Sequence, residues 1–359
     1  MPMVSVIIPV YNTGAYLNHC LESVVNQSLK DIEIVCVDDY SSDNSIQILD
    51  EYKNRDSRFV IIKHDKNYGL LKTRGDGVKF SSGKYIIFLD SDDSIELETC
   101  EKLSALMEKT ECDIIQFGTN VVRQEGANPL MTSHYIQFLK PCKKTLSGDK
   151  IFKYQFSGIA NWHIWNKIYR SEICKKSYDL AKEQYMIVSD DLYMSFYFSL
   201  LAKKMKGVSE KYYNYNIGRG YTNSNNTKIN QIRTISSNSW FILDCIDYLK
   251  KEDIYDKYGK YCFREPLLQL GACVSIMETI DDEETKNKAL EVIRSSWSFD
   301  PFKELLQNMI DNADWNSLSN RVRRHVSDFG IIKTIAVIMH IISFNIRKRV
   351  TQCLLQLRT

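Results

Sequence analysis

The chain has 359 residues, more than a single hydrophobic core usually holds, so one catalytic-size domain with a smaller annex is expected. Apolar residues at 44% and charged residues at 26% exclude wholesale disorder, and 15 Gly with 6 Pro exclude a collagen-like or low-complexity chain. Lys and Arg number 47 against 45 Asp and Glu, and the resulting formal charge of +2 argues against a protein that coats nucleic acid.

From residue 4 to about 93 apolar runs and helical periodicities alternate. VSVIIPV (4–10) is short, apolar and rich in β-branched residues, as a buried parallel strand should be. Leu17, Cys20, Leu21, Val24 and Val25 recur at helical spacing and predict a helix over 15–27. A second strand is expected over 32–37, then a helix through Ile46, Leu49 and Tyr52 capped by Ser42 or Asp43. Further strands follow at 59–63 and 85–89, separated by a helix at 70–80. Such alternation implies right-handed crossovers and an open, mostly parallel, Rossmann-like α/β sheet, in which ligands bind beyond the carboxyl ends of the strands.

Past Asp93 the rhythm loosens. A helix is expected over 96–109, strands over 113–117, 165–169 and 207–215, and a helix over 191–203. Residues 118–147 show no period and read as a variable excursion, and from about 228 the chain turns mostly helical. The resulting division is a catalytic domain over 1–225, a helical region over 226–320 and a basic tail over 321–359. The ten cysteines are scattered without a Cys-x-x-Cys, several inside apolar runs, and read as small buried hydrophobes in a reducing compartment. The N-terminus opens straight into a strand without a cationic leader, so a cytoplasmic-side protein is expected.

Four strand ends carry the chemistry. The first supplies Pro9, Tyr11 and Asn12; the second Asp38, Asp39 and Ser41; the turn after the third Asn67 and Gly69, followed by Lys72 and Arg74; the fourth Asp90, Ser91, Asp92 and Asp93. Three carboxylates at one strand end, with another pair two strands away, repel one another. A divalent cation relieves that repulsion, since Mg²⁺ or Mn²⁺ takes oxygen ligands from one or two carboxylates and from substrate phosphates. Lys72 and Arg74 would hold the remaining diphosphate charge. Each Asp taken singly is equally well an N-cap, but capping alone does not explain four such strand ends. No P-loop occurs, and Gly75-Asp76-Gly77 falls inside a helix with Phe80 where a third glycine belongs, so it is not a dinucleotide fingerprint. No pair of histidines has metal-ligand spacing; His19 and His64 sit on or beside apolar elements, and His163 lies between two tryptophans.

Together VSVIIPVYN (4–12), EIVCVDDYSS (33–42), Asn67-x-Gly69 with Arg74, and GKYIIFLDSDD (83–93) resemble glycosyltransferase family 2, inverting nucleotide-sugar enzymes of the GT-A fold. The resemblance is strong over 3–110 and weaker over 160–215. It implies that Pro9, Tyr11 and Asp39 cradle uracil, Asp39 accepting from the base N–H, and that Arg74 contacts the diphosphate region. It further implies that Asp90-Ser91-Asp92 is the D-x-D motif, Asp92 binding a metal that bridges the diphosphate and Asp90 lying toward the ribose or sugar. Tyr40 departs from the glycine usual there and should alter the loop backbone; Gly75 departs from the usual asparagine after the arginine.

An inverting transfer needs a base for the acceptor hydroxyl. The resemblance places it in Ser189-Asp190-Asp191, with Asp191 as base and Asp190 as its neighbour, although a plain capping pair has the same spacing. Trp162 or Trp165 would offer the acceptor sugar a stacking floor, where a core role is the commoner fate of tryptophan. Residues 321–359 carry eight Lys or Arg against the single acid Asp328, around the apolar run 331–346, which at sixteen residues is shorter than a membrane span. A helix lying on an anionic inner membrane is expected there, beside the alternative of a core helix with solvated ends. In phrase, the chain is most similar to bacterial β-1,3-galactosyltransferases of lipooligosaccharide synthesis. The resemblance thus implies a UDP-galactose donor, a saccharide or lipid-linked acceptor, a Mn²⁺ or Mg²⁺ cofactor and a peripheral place on the cytoplasmic face of the inner membrane. Two other readings stay open: the same fold using UDP-glucose or a UDP-N-acetylhexosamine for capsule or O-antigen, and a binding protein that has lost activity.

Overall fold

A computed structural model describes residues 1–123, 139–156, 162–217, 227–237, 239–261 and 279–297, with isolated positions at 136, 219, 269, 273, 276 and 277. The basic tail expected over 321–359 lies outside the described residues. The chain divides into two units, Met1–Ser224 and Asn225–Thr359.

In the first unit, apolar strands alternate with one-faced helices: β1 (Val4–Val10), α1 (Gly14–Val25), β2 (Ile32–Asp38), α2 (Ser45–Arg55), β3 (Phe59–Lys63), α3 (Leu70–Phe80) and β4 (Tyr85–Phe88). Every residue of β1, β2 and β4 is buried, which is why each reads as a mostly apolar run, interrupted only by Ser5 in β1 and by Glu33 and Asp38 in β2. The other half follows as β5 (Ser94–Ile95), α4 (Thr99–Thr110), β6 (Ile114–Arg123), β7 (Leu146–Ser147), α5 (Asp149–Gln155), β8 (Lys167–Arg170), α6 (Ser171–Leu180), α7 (Asp190–Leu201) and β9 (Lys204–Ile217). The strands form one sheet in the order β3-β2-β1-β4-β8-β6-β9-β5, with β7 on β9. From β3 to β4 all pairs are parallel; β8 runs antiparallel to both β4 and β6, and β9 returns parallel to β6. This is the open α/β sheet expected.

Pro9 is compatible with a central strand because the β1–β4 register ends at Ile7↔Phe88, before a proline N–H would be missed. Helix α4 starts at Thr99 and not at 96, because Ser94 and Ile95 pair with β9 and Glu96 N donates to Tyr212 O. Residues 118–123, expected to belong to an irregular excursion, continue β6 past a bulge at Gly118, where a Cβ would come within 2.7 Å of Ser209 O. The strand expected over 165–169 is β8, at 167–170. Asp43 accepts Ser45 N at 2.9 Å, but the residue at the N-cap of α2 is Asn44. Among the described residues the eight cysteines are buried and none is in a disulfide.

The second unit contains α8 (Lys228–Ser237), α9 (Trp240–Lys251), the single turn α10 (Tyr255–Tyr258) running into a 3₁₀ turn, and α11 (Glu283–Trp297). Phe241, Ile242, Cys245, Ile246 and Leu249 give α9 one buried stripe, and Ser239 Oγ donates to Ser296 O at 2.8 Å to tie its start to α11. Among the described residues no helix is long and apolar enough to cross a membrane.

Candidate active site

Beyond the carboxyl ends of β1 and β2, two loops are laced together. Asn12, at φ +51°, accepts Ser42 N on its Oδ1 at 2.7 Å while its own N–H donates to Ser41 Oγ at 3.0 Å. Tyr11 beside it is 50% exposed and Pro9 is buried. Tyr40 takes φ +68°, the left-handed conformation a glycine adopts without strain, so the loop keeps a glycine-type backbone and is not rerouted as expected.

Asp39 is buried and its carboxylate is held by three donors. Oδ1 accepts Tyr68 N at 2.8 Å and faces His64 Nδ1 at 2.7 Å, and Oδ2 accepts Gly69 N at 2.9 Å. A carboxylate has about four lone-pair positions, which leaves one for a ligand. Gly69 cannot carry a side chain here: its φ is +86° and a Cβ would approach Met186 O to 2.8 Å. The neighbouring Asp38 accepts Ser41 N at 3.1 Å on one oxygen, and its other oxygen is buried without a hydrogen-bond partner.

Arg74 lies differently from the expectation. Its side chain is enclosed and turned to carboxylates: Nη2 meets Asp90 Oδ1, and Nη1 meets both Asp190 Oδ2 and Asp191 Oδ1, each at 2.5 Å, while Nε is buried without a hydrogen-bond partner. Lys72 is likewise engaged, by Asp76 at 2.9 Å and Glu183 at 3.0 Å. One guanidinium therefore joins the fourth strand end to the first turn of α7, sites more than a hundred residues apart in sequence. Ser189, at φ +69°, turns the chain sharply so that Asp190 and Asp191 open the helix.

Three carboxylates on one cation leave charge uncompensated. Burial pushes Asp190 up to about 7 against the pull of Arg74. Burial also opposes the charge of Asp191, but Arg74 and His163 outweigh it and hold this carboxyl below the ordinary range. His163 Nδ1 lies 3.2 Å from Asp191 Oδ2. Burial likewise brings the buried Lys167 ammonium down to about 7, near Asp191.

In the acidic turn, Ser91 is buried and Asp92 is raised to about 6 by burial and by Asp90. Asp93 faces inward, accepting the Tyr213 hydroxyl at 2.9 Å and Asn216 N at 2.7 Å. The same Tyr213 hydroxyl accepts Asp90 N at 3.2 Å, so β9 fixes the turn from beneath. Arg219 Nη1 reaches Asp92 O at 3.4 Å and its guanidinium lies 4.7 Å from the Tyr16 ring centroid. Among the described residues no three His, Cys, Asp or Glu side chains form a metal cage. The oxygens of Asp90 and Asp92 are of the kind that would suit a hard divalent cation, although Asp90 already shares one oxygen with Arg74.

The tryptophans separate. Trp165 is 3% exposed, packed on Tyr213 and Tyr215 at centroid distances of 4.6 and 5.1 Å, so it belongs to the wall and presents no stacking face. Trp162 is half-buried against His163. Sequence reasoning passed over Tyr213, Asn216, Arg219 and His64; only Tyr213 stood out in the sequence, in the aromatic cluster with Tyr212 and Tyr215.

Residues 5–177 match the family model of Glycosyl transferase family 2. EpsH of Bacillus subtilis is 34% identical over 220 residues, 60% of this chain and 61% of EpsH. A protein named cholesterol galactosyltransferase, from Borreliella burgdorferi, is 29% identical over 71% of this chain and 69% of its own. The chain spans 61% and 54% of the lengths of two of the curated relatives it matches. Crystalline S. aureus TarS 1–349 in complex with UDP-GlcNAc superposes with a TM-score of 0.53 at 19% identity, covering 87% of this chain and 92% of that one. That likeness establishes the fold as GT-A. The family model and the relatives support residues 5–177 as a glycosyltransferase family 2 domain.

Proposed function

From a family 2 domain on a GT-A fold, we propose that the protein is an inverting, UDP-sugar-dependent glycosyltransferase of surface-glycan assembly. It moves a hexose, galactose being the first candidate, onto a saccharide hydroxyl in a β-1,3 linkage. The observation that carries the reading is the Arg74 bridge, which sets a base-competent pair at the start of α7 against the acidic turn at the end of β4. Asp39, with one lone pair unspent, accepts from the uracil N–H beside Pro9 and Tyr11. Asn12 holds the two base-side loops together, and Arg219 brings positive charge to the diphosphate side. Asp92 would hold a divalent cation, Mn²⁺ or Mg²⁺, which would supply positive charge for the departing diphosphate.

Asp191 takes the acceptor proton. It is ionised at neutral pH, as a base must be, and its side chain is 11% exposed against 3% for Asp190. Asp190, raised to about 7, is favoured as base by proton affinity alone, which makes it the second reading. The name of the Borreliella relative supports galactose and a lipid acceptor, and the basic tail over 321–359, read from sequence, supports work at the inner-membrane surface.

The test is UDP release from a panel of UDP-sugars with Mn²⁺, repeated with EDTA, over a mixed acceptor pool. Turnover of one donor that EDTA abolishes is expected; absence of both turnover and metal-dependent UDP binding would refute the reading. A full-length protein and one lacking 321–359, compared for retention on anionic vesicles, test the membrane proposal; equal retention would contradict it.

A further inference from the structure

His64 was set aside in the sequence because no second histidine stands at metal-ligand spacing and its neighbours are apolar. In the fold its ring is enclosed, with Nδ1 2.7 Å from Asp39 Oδ1 and Nε2 3.0 Å from Asp76 Oδ2. A neutral imidazole has a single N–H and satisfies one of these carboxylates; the doubly protonated ring donates to both. The surroundings fix the ring. Tyr68 packs edge-on to it at a centroid distance of 5.1 Å, and the Tyr68 hydroxyl is bound to Asp65. Lys66 lies over the Tyr68 ring, and Asp76 takes a second cation from Lys72, which also reaches Glu183. The cluster thus sets the Asp39 and Asp76 carboxylates on the two nitrogens of one ring, with Lys72 also on Asp76.

We propose that His64 is a positioning residue for nucleobase selection, acting through Asp39. Its ring, with Tyr68 N and Gly69 N, holds the Asp39 carboxylate turned so that its last lone pair faces the base. An ionised carboxylate only accepts, so it favours a base edge that presents a ring N–H, as uracil does, over one that presents a bare ring nitrogen, as cytosine does. Without the ring, Asp39 loses one of the three contacts that fix its carboxylate and is free to swing away. The inference rests on the reading of Asp39 as the base contact.

The experiment measures UDP and CDP affinity, each with Mn²⁺, for the wild type, Asp39→Asn, His64→Gln and Asp76→Asn, alongside donor KM and kcat. Wild type is expected to prefer UDP. Asp39→Asn should erase most of that preference. His64→Gln should narrow the UDP-to-CDP ratio about fivefold by weakening UDP, raising donor KM while kcat stays within about twofold, because nothing it touches contacts the reacting atoms. Asp76→Asn, which leaves the ring in place, should narrow the ratio about twofold, and it decides the matter should His64→Gln fail to fold. A ratio that responds to Asp39→Asn but to neither of the other two would overturn the role of His64 alone. A ratio unmoved by Asp39→Asn would remove the base contact, and the His64 proposal with it.

Discussion

Two carboxylate clusters flank the ends of the parallel strands, and they are held in different ways. Around His64, two carboxylates sit on the two nitrogens of one ring, and one of them also takes Lys72. Around Arg74, three carboxylates share one guanidinium, and the excess surfaces as Asp190 raised to about 7 and, in the adjoining turn, Asp92 raised to about 6. On the proposed function, the His64 cluster would suit a part that stays put while a base docks. The Arg74 cluster would gather negative charge where a cation, a diphosphate and an acceptor proton are to be handled.

The contrast can be broken first at Asp191. Asp191→Asn should lower kcat by about 10³-fold, in the range of a lost general base, while UDP affinity stays within about twofold. A fall confined to UDP binding would move Asp191 out of the chemistry. Next comes Arg74: Arg74→Met leaves three buried carboxylates without their cation, and denaturant unfolding should report a loss of about 3–5 kcal/mol. A loss under about 1 kcal/mol would mean that the cluster is solvated.

Asp190 sharpens the comparison through pH. Its folded value lies above the unfolded one of 3.8, so the native state keeps a proton that the unfolded chain gives up. That stability is present at low pH and is lost as pH rises from about 4 through 7. Asp190→Asn should therefore become more stabilising between pH 5 and pH 8, by roughly 3 kcal/mol. An effect independent of pH would show that Asp190 is ionised throughout. The smallest effect belongs to the His64 side. Tyr40→Gly relieves a left-handed residue and should stabilise by about 0.5–1 kcal/mol, read as a rise in Tm, whereas destabilisation would mean that the Tyr40 side chain contributes contacts outweighing the strain.

The two halves of the sheet were unequally legible. β1, β2 and β4 are buried along their whole length and read as mostly apolar runs, and the carboxylates at the strand ends stand out against them. The other half carries weaker signals. α6 buries only Ser171, Cys174 and Ser177, too little apolar surface to show a period, and the outer end of β6 is partly exposed, so neither was read from sequence. Asp190 and Asp191 were legible as a pair, but their bridge to Asp90 was not, because Arg74 lies 116 residues from Asp190 and was assigned to a diphosphate. His64 was missed for the same reason: its partners stand 25 and 12 residues away, and only the fold of α3 onto the β2 loop brings them to the ring.

The central claim is a single inverting displacement from a UDP-sugar. It is tested most directly by following the anomeric proton of the first sugar released from UDP-galactose with Mn²⁺ by NMR, since water serves as acceptor when the natural one is absent. The expected result is that the β-anomer forms first and mutarotates later, and that Asp191→Asn slows its release. Initial release of the α-anomer would contradict the inverting mechanism and the assignment of Asp191 as its base.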